Sequence, residues 1–582
     1  MRQCAAYRST AAVCYNLTDC DSESATTPTV QNYHNPVYPT TLGGRMLPRG
    51  LTVALVPSAR LALGLVLLLA LGLRLWGLSF GLPYVIQPDE PSVEDRALRM
   101  WLAGDPNPHY FVYPSLYYDM QAIWAFATGH IAGLFQPDAL RHPILHKPLY
   151  YLSGRLLTAL LGTLTVFITY LAGRAFSVRL GLMAALFLAV AAQHVQQSHY
   201  ITVDAPTGLF TALTALFALR ALQNIRSAPV RLMAPDDDLE AGAFRRRAGV
   251  YLLAAGVAAG LAAGTKYNAG VALLLPLAAI LLGGAWPRAR RLAMASAVCA
   301  VCAACAATFV LTSPFIVLDP APFLASLHVV SQHYATGHPG AEGGDNALWY
   351  LLYLGREGML PAATALAVAG AAIALARYRR AGLLLLSFAL PYYALLCSTY
   401  VRFDRNLLPL LPFLALFAAA GVEAIVPPLA LLLRNHGAAY GLTLGLAVAP
   451  SLAVAARADN SITRPFSEQV AVAWADVHLP AGAHLATENW EGRPFELSPR
   501  RYTITNRGTL ALLAYAELSK LGVRYAVTDS WTDGAYLRDP RRYPVEAARY
   551  RELYRRARLL ARIPGDSPER QGPTMSIYEL RP

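Results

Sequence analysis

Long apolar runs alternate with short polar connections over most of the chain, and each run is close to the roughly 20 residues that a helix needs to cross a bilayer. The pattern predicts eleven spans: Leu61–Leu78, Tyr151–Gly173, Leu180–Ser198, Pro206–Leu222, Val250–Gly264, Ala269–Gly284, Leu292–Thr312, Met359–Ala376, Ala381–Ser398, Asn406–Val426 and Ala438–Ala456. Two regions break it. Residues 1–45 are polar, without hydrophobic periodicity or a secretory pattern, and read as a disordered extension; Met46 opens MLPRGLTVALVPSAR, a natural short lead into a membrane span. From residue 459 the chain shifts to short alternating stretches (HLATE, VRYAVTDS, SIYEL) with helical patterns near 508–521 and 543–562, which predicts a small mixed α/β domain over 459–582.

Leu116–Phe135 decides the topology. It is long enough to cross, yet it carries Asp119, Gln121 and His130. If it lies along the membrane surface within a long first loop (79–150), the short inward connections hold Arg174, Arg179, Arg226, Arg231, Arg245, Arg246, Arg247, Arg288, Arg290, Arg291, Arg377, Arg379, Arg380 and Arg434. The short outward connections then hold only Lys266, Arg356, Arg402 and Arg405. Counting Leu116–Phe135 as a crossing inverts that asymmetry, so the preference for arginine on the cytoplasmic side selects a surface-lying helix. In the resulting register the C-terminal domain is extracytoplasmic.

Composition agrees with this pattern. Of 582 residues, 55% are hydrophobic and 15% charged, and mean hydropathy is +0.36; the fold class is a polytopic α-helical membrane protein with a small extracytoplasmic α/β domain. The net charge of +13 does not imply nucleic acid, because the arginines sit in short clusters between apolar runs. Cys299, Cys302 and Cys305 share one apolar run without flanking His or carboxylate and read as packing residues.

Candidate chemistry collects in the loops assigned to the outer side. Asp89 and Glu90 directly follow the first span, in a carboxylate-rich stretch from Tyr84 to Asp119. Carboxylates beside hydrocarbon are costly to desolvate and persist where chemistry needs them. The same side receives His199 and Asp204, then Lys266, then Arg402 and Arg405, from separate loops. Span centres hold almost no charge, which favours surface chemistry over transport.

The order of motifs resembles the GT-C superfamily of lipid-carrier-dependent glycosyltransferases, close to family 39, which includes protein O-mannosyltransferases and bacterial aminoarabinose transferases. The residues carrying the resemblance are PDE after the first span, YPSLYY, Arg155 and Gly162 around RLLTALLGTLTVFITY, and SHYITVDAPTGLF, with weaker echoes in GLAAGTKYNAG and YVRFDRNLLPLLPF. Residues 46–458 would then form the transferase domain. The resemblance implies a polyprenyl-phosphate sugar donor, transfer outside the cytoplasm, Asp89 as general base, Glu90 in acceptor binding and Asp204 as second acid of the cavity. Where the family often has HPPL or KPPL, this chain has Tyr113, Pro114, Ser115 and Leu116.

The residue types make sense of such a transfer. A lipid phosphate leaves readily if cations receive its charge, and Lys266, Arg402 and Arg405 fit that task. Arg155, Tyr113 and His199 complete the expected substrate-binding set. Simpler roles compete: Asp89–Glu90 and Asp204 also suit helix capping, and Arg402 and Arg405 also suit headgroup anchoring. No outward D-x-D appears, and His328, His333 and His338 do not share a helix face, so no metal or other cofactor is expected. The expected surroundings are the inner or plasma membrane and its lipids, with the acceptor a protein, lipid or glycan. A lipid-linked-sugar transporter or a non-catalytic scaffold are the alternative functions, although the chain lacks the repeated halves a transporter would show.

Overall fold

A computed structural model describes residues 57–227, 238–284, 291–337, 344–488 and 497–581. The extension over 1–45 and residues Arg231, Arg288, Arg290, His338 and 489–491 lie outside that set.

Among the described residues, eight helices are long and apolar enough to cross a membrane: Pro57–Leu75, Pro143–Gly173, Asp204–Arg226, Arg246–Thr265, Arg291–Thr312, Arg379–Ser398, Asp404–Leu433 and His436–Ile462. The other three expected runs fall on shorter apolar helices, Val178–Val190, Tyr267–Gly283 and Pro361–Arg377. The chain is a multi-pass membrane protein. On the first helix Leu61, Leu65 and Leu68 are exposed while Ala70 and Leu73 are buried, so one stripe is left for lipid and the other packs inward. Helices approach closely at glycines: a Cβ on Gly370 would collide with the Phe417 carbonyl oxygen, an approach that only a missing side chain permits.

One expected span is interrupted. The apolar helix ends at Val190, Ala191 is extended, and a separate short helix covers Ala192–Gln197. The reason lies in the polar run Gln193, His194, Gln196 and Gln197, and in Arg74 of the first helix. Arg74, fully buried, donates to the Leu188 and Ala189 carbonyls (3.3 and 3.2 Å) and lies 2.8 Å from His194 Nδ1. It therefore satisfies carbonyls that the break releases from the helical ladder.

The first long loop is helical. Glu90–Ala103 packs on Leu116–Gly133, followed by the short helix Pro137–Arg141. On Leu116–Gly133, Tyr117, Gln121, Ala125 and Gly129 are buried at four-residue spacing, whereas Ile123, Phe126 and Ile131 are exposed. That helix thus presents an apolar face outward although it is not among the eight long apolar helices.

The last apolar helix runs to Ile462, and beyond it lies a five-stranded sheet of order β2-β1-β3-β5-β4. The strands are β1 His484–Glu488, β2 Thr503–Arg507, β3 Tyr525–Asp529, β4 Arg558–Ile563 and β5 Met575–Glu579. β1 runs parallel to β2 and β3, and β5 is antiparallel to β3 and β4. Leu485, Tyr525 and Val527 face one core while Ala486 and Ala526 face the other, the alternation expected of a sheet covered on both sides. The expected helix over 543–562 is corrected: it spans Pro544–Arg556, and Arg558–Ile563 is strand. Pairing with β5 overrides the helical preference of RARLLARI.

Candidate active site

The site starts at the exit of the first span. Helix Glu90–Ala103 is capped by Gln87, whose Oε1 accepts from the N–H groups of Asp89 (2.6 Å) and Glu90 (3.1 Å). The Asp89 side chain makes no capping bond. Its Oδ2 instead lies 3.0 Å from Arg405 Nη1, with both side chains about a quarter exposed (27% and 25%).

Arg405 belongs to Tyr400–Asn406, a segment pinned from several sides. The Tyr400 N–H donates to the Tyr334 carbonyl (3.1 Å), Tyr353 donates to Asp404 Oδ2 (2.9 Å), and Tyr392 donates to the Asn406 carbonyl (3.1 Å). The His333 ring stacks on Phe403. With its neighbours fixed, Arg405 spans the distance to Asp89, and Asn406 turns to the next pair. Asn406 Oδ1 accepts from Lys266 Nζ at 2.7 Å, and the same ammonium lies 2.6 Å from Asp204 Oδ1. Lys266, Asp204 and Asn406 are buried. A continuous string results, Asp89, Arg405, Asn406, Lys266, Asp204, in which two carboxylates and two cations balance across four sequence segments. Tyr113 sits within its field: burial, then the Asp89 charge, push the phenol well above its ordinary range, against the opposing pull of Arg405.

Glu90 and Arg155 are positioned otherwise than as substrate contacts. Both are fully buried. Arg155 Nε and Nη2 grip Glu90 Oε1 and Oε2 at 2.8 and 2.7 Å, Nη1 donates to the Leu78 and Phe80 carbonyls (3.1 and 2.7 Å), and the guanidinium covers the Phe80 ring at 3.6 Å. Glu90 Oε1 also accepts from the Ile201 N–H (3.2 Å). Such a filled bidentate pair leaves little to offer a ligand but fixes the chain on either side of it. One turn later Glu94, buried beside Glu90 and Asp95, is pushed well above the usual carboxylate range, first by desolvation and then by those two charges.

A cavity of about 470 Å³ adjoins the string, lined by Gln87, Pro88, Gln196, His199, Tyr200 and Arg405 from the helical part, and by Asp459, Trp531 and Gln571 among others. His199 bridges the Val195 and Trp76 carbonyls (3.0 and 2.9 Å) and lies 3.7 Å from Asp459 Oδ1. Arg402 is not among the lining residues and lies over the Trp349 ring at 5.1 Å. A separate groove of about 590 Å³ between Leu75–Ser79 and Thr128, Leu149 and Leu156 is lined without a charged side chain. Sequence reasoning missed Asn406, Asp459, Trp531 and Gln571. Asn406 adjoins Arg405 in YVRFDRN and was the one within reach.

The family model described as dolichyl-phosphate-mannose-protein mannosyltransferase matches residues 144–335. No curated protein matches the chain in sequence. Among solved structures, ArnT from Cupriavidus metallidurans bound to undecaprenyl phosphate is 18% identical, with TM-score 0.49, covering 90% of this chain and 98% of that one. The Archaeoglobus fulgidus oligosaccharyltransferase tethered to an acceptor peptide is 14% identical, with TM-score 0.52, covering 84% and 72%. The same organism's AglB with an inhibitory peptide and a dolichol-phosphate is 13% identical, with TM-score 0.51, covering 85% and 71%.

Proposed function

We infer that this chain, which has the GT-C fold, is a membrane glycosyltransferase that moves a sugar from a polyprenyl-phosphate carrier to an acceptor hydroxyl. The observation carrying this reading is the Asp89–Arg405 pair, 3.0 Å apart, at the edge of a cavity that Arg405 lines. Transfer breaks the bond between the anomeric carbon and the phosphate oxygen, whose electron pair stays on the lipid phosphate. The acceptor oxygen forms the new bond to that carbon and loses its proton to Asp89. A positioned carboxylate contributes about 10²–10⁴-fold as base, and a guanidinium at the departing oxygen stabilises charge as it develops.

In this reading Arg405 exchanges Asp89 for phosphate when donor binds, which frees the carboxylate to accept a proton. Lys266 and Asp204 set the field behind it, and the Glu90–Arg155 clamp positions Asp89 through the adjoining backbone. Arg405 and Lys266 supply the positive charge, so we assign no metal to the step. The dolichol-phosphate held by a protein of the same fold supports a polyprenyl-phosphate donor, and the arginine asymmetry of the sequence supports a catalytic face and C-terminal domain outside the cytoplasm of an inner or plasma membrane.

The test is transfer by purified full-length protein in lipid nanodiscs, offered polyprenyl-phosphate hexoses and pentoses with hydroxyl-bearing lipid, peptide and glycan acceptors, with and without EDTA. Release of polyprenyl phosphate together with acceptor glycosylation, unchanged by EDTA, is expected. Binding of donor without turnover on any acceptor would remove the transferase reading, and activity lost to EDTA and restored by a divalent cation would remove the metal-free one.

A further inference from the structure

The 470 Å³ cavity falls within the range of about 300–1,000 Å³ typical of ligand pockets, and one of its walls is not used by the chemistry above. That wall comes from the end of the last apolar helix and from the sheet domain. Asp459, 2% exposed, lies 3.7 Å from His199 through Oδ1, while its Oδ2 is buried without a hydrogen-bond partner. A buried carboxylate oxygen left unpaired is costly unless a ligand completes it.

Trp531 lines the same cavity, and the fold explains its placement. In the sheet, β1 leads to β2 on one side and β3 lies on the other, so the strand order reverses between β1 and β3. Ligands of open α/β sheets collect outside the carboxyl ends of strands at such a reversal. Trp531 follows the end of β3 directly. Asp529 Oδ1 accepts from the Trp531 and Thr532 N–H groups (3.0 and 2.8 Å), Ser530 N–H donates to the Thr574 carbonyl (3.1 Å), and the indole N–H donates to Asp566 Oδ2 (3.1 Å). The ring is thereby oriented with its polar edge occupied, and it remains 40% exposed.

The sheet domain is also fastened where the catalytic loop begins. Gln469 Nε2 donates to the Gly81 carbonyl (2.7 Å), Phe466 packs with Phe80 and Ile86, and Gln571 Nε2 donates to Ser461 Oγ. The Trp531 wall and the Asp89 loop are therefore one assembly.

We propose that Trp531 and Asp459 form a sugar-binding subsite: the indole face receives the C–H face of a pyranose or furanose ring, and Asp459 Oδ2 accepts a ring hydroxyl. The negative face of an aromatic ring attracts positively polarised C–H groups, and the unpaired carboxylate oxygen matches a hydroxyl donor. This subsite rests on the transferase reading for its purpose, and it takes either the donor's sugar or a glycan acceptor. It makes the sheet domain a determinant of sugar specificity.

The test is saturation-transfer NMR on full-length protein in nanodiscs, with short-chain prenyl-phosphate mannose, glucose and arabinose as donor probes and their methyl glycosides as acceptor probes. Ring-proton signals are expected from one probe class, reduced at least about fivefold in Trp531→Ala and Asp459→Asn and retained in Trp531→Phe. Signal from the prenyl-phosphate class alone assigns the subsite to the donor, and signal from the methyl glycosides assigns it to a glycan acceptor. Wild-type protein without signal from either class, or Trp531→Ala with unchanged signal, overturns the subsite. Because the readout is binding, that failure stands apart from absent turnover in the transfer assay.

Discussion

Arg405 Nη1 lies 3.0 Å from Asp89 Oδ2, although more than three hundred residues separate them in the chain. The pairing links the segment that pins Arg405 to the start of the first loop helix. Because Gln87 caps that helix, Asp89 does not need to, and its carboxylate is left for Arg405 and for chemistry.

Asp89→Asn therefore keeps the shape of the site and removes the basic lone pair. We expect kcat for sugar transfer to fall by at least about 10²-fold, with detergent-phase melting within a few degrees of wild type. Near-wild-type turnover in the purified variant would mean that another group accepts the proton.

Glu90 and Arg155 belong to stability. Removing one partner leaves the other charge buried and unpaired, at a cost of about 3–5 kcal/mol. Arg155→Met should lower the melting temperature sharply, and Glu90→Gln combined with Arg155→Met should recover part of the loss, since the double variant buries no charge. Single variants that melt like wild type while losing only substrate affinity would return this pair to the binding site.

These cases mark what the sequence discloses. The apolar runs were legible because membrane-crossing length and helical patterning are local properties: eight fall on helices long and apolar enough to cross and three on shorter apolar helices, one of those runs being broken at Ala191. Arg74 closing the break at Ala191, or Arg155 gripping Glu90, were not, since each depends on which backbone carbonyls or carboxylates the tertiary fold brings near. Asp89 and Arg405 were separately visible as polar residues at the ends of apolar runs, whereas their contact was not. Strand β4 was hidden for the same reason, because its partner strand β5 follows a turn that local preference does not encode.

Sidedness rests on arginine placement and is directly measurable. In a cysteine-free background, Arg141→Cys and Arg541→Cys should react with a membrane-impermeant maleimide in intact cells, and Arg379→Cys only after lysis. Labelling with the reverse pattern would invert the register and move Asp89 to the cytoplasmic face.

Asp119 gives a pH signature. Burial pushes its carboxyl up to about 7, above the unfolded value near 3.9. Between those values the folded chain binds more protons than the unfolded one, so this group's contribution to stability is complete below about pH 4 and declines as pH rises to about 7. Asp119→Asn should flatten that decline in a melting series from pH 4.5 to 8. An unchanged slope in the variant would assign the decline to other groups.

The two arginines of YVRFDR should separate kinetically. Arg405 reaches Asp89 and lines the cavity, while Arg402 lies over the Trp349 ring. If Arg405 receives the departing phosphate, its contact strengthens as charge develops on the leaving oxygen, and a contact of that kind acts on kcat more than on KM. Losing such a donor costs about 2–4 kcal/mol, so Arg405→Gln should lower kcat by about 30- to 1,000-fold. Arg405→Lys should restore only part of it, because lysine supplies charge without the bidentate fork. Arg402→Gln should stay within about threefold of wild type, as expected of a half-buried cation resting on an aromatic face, a contact worth about 0.5–1 kcal/mol. Steady-state kinetics on the three variants decide the assignment: equal losses at 402 and 405 would make both phosphate ligands, and no loss at 405 would leave the phosphate to Lys266.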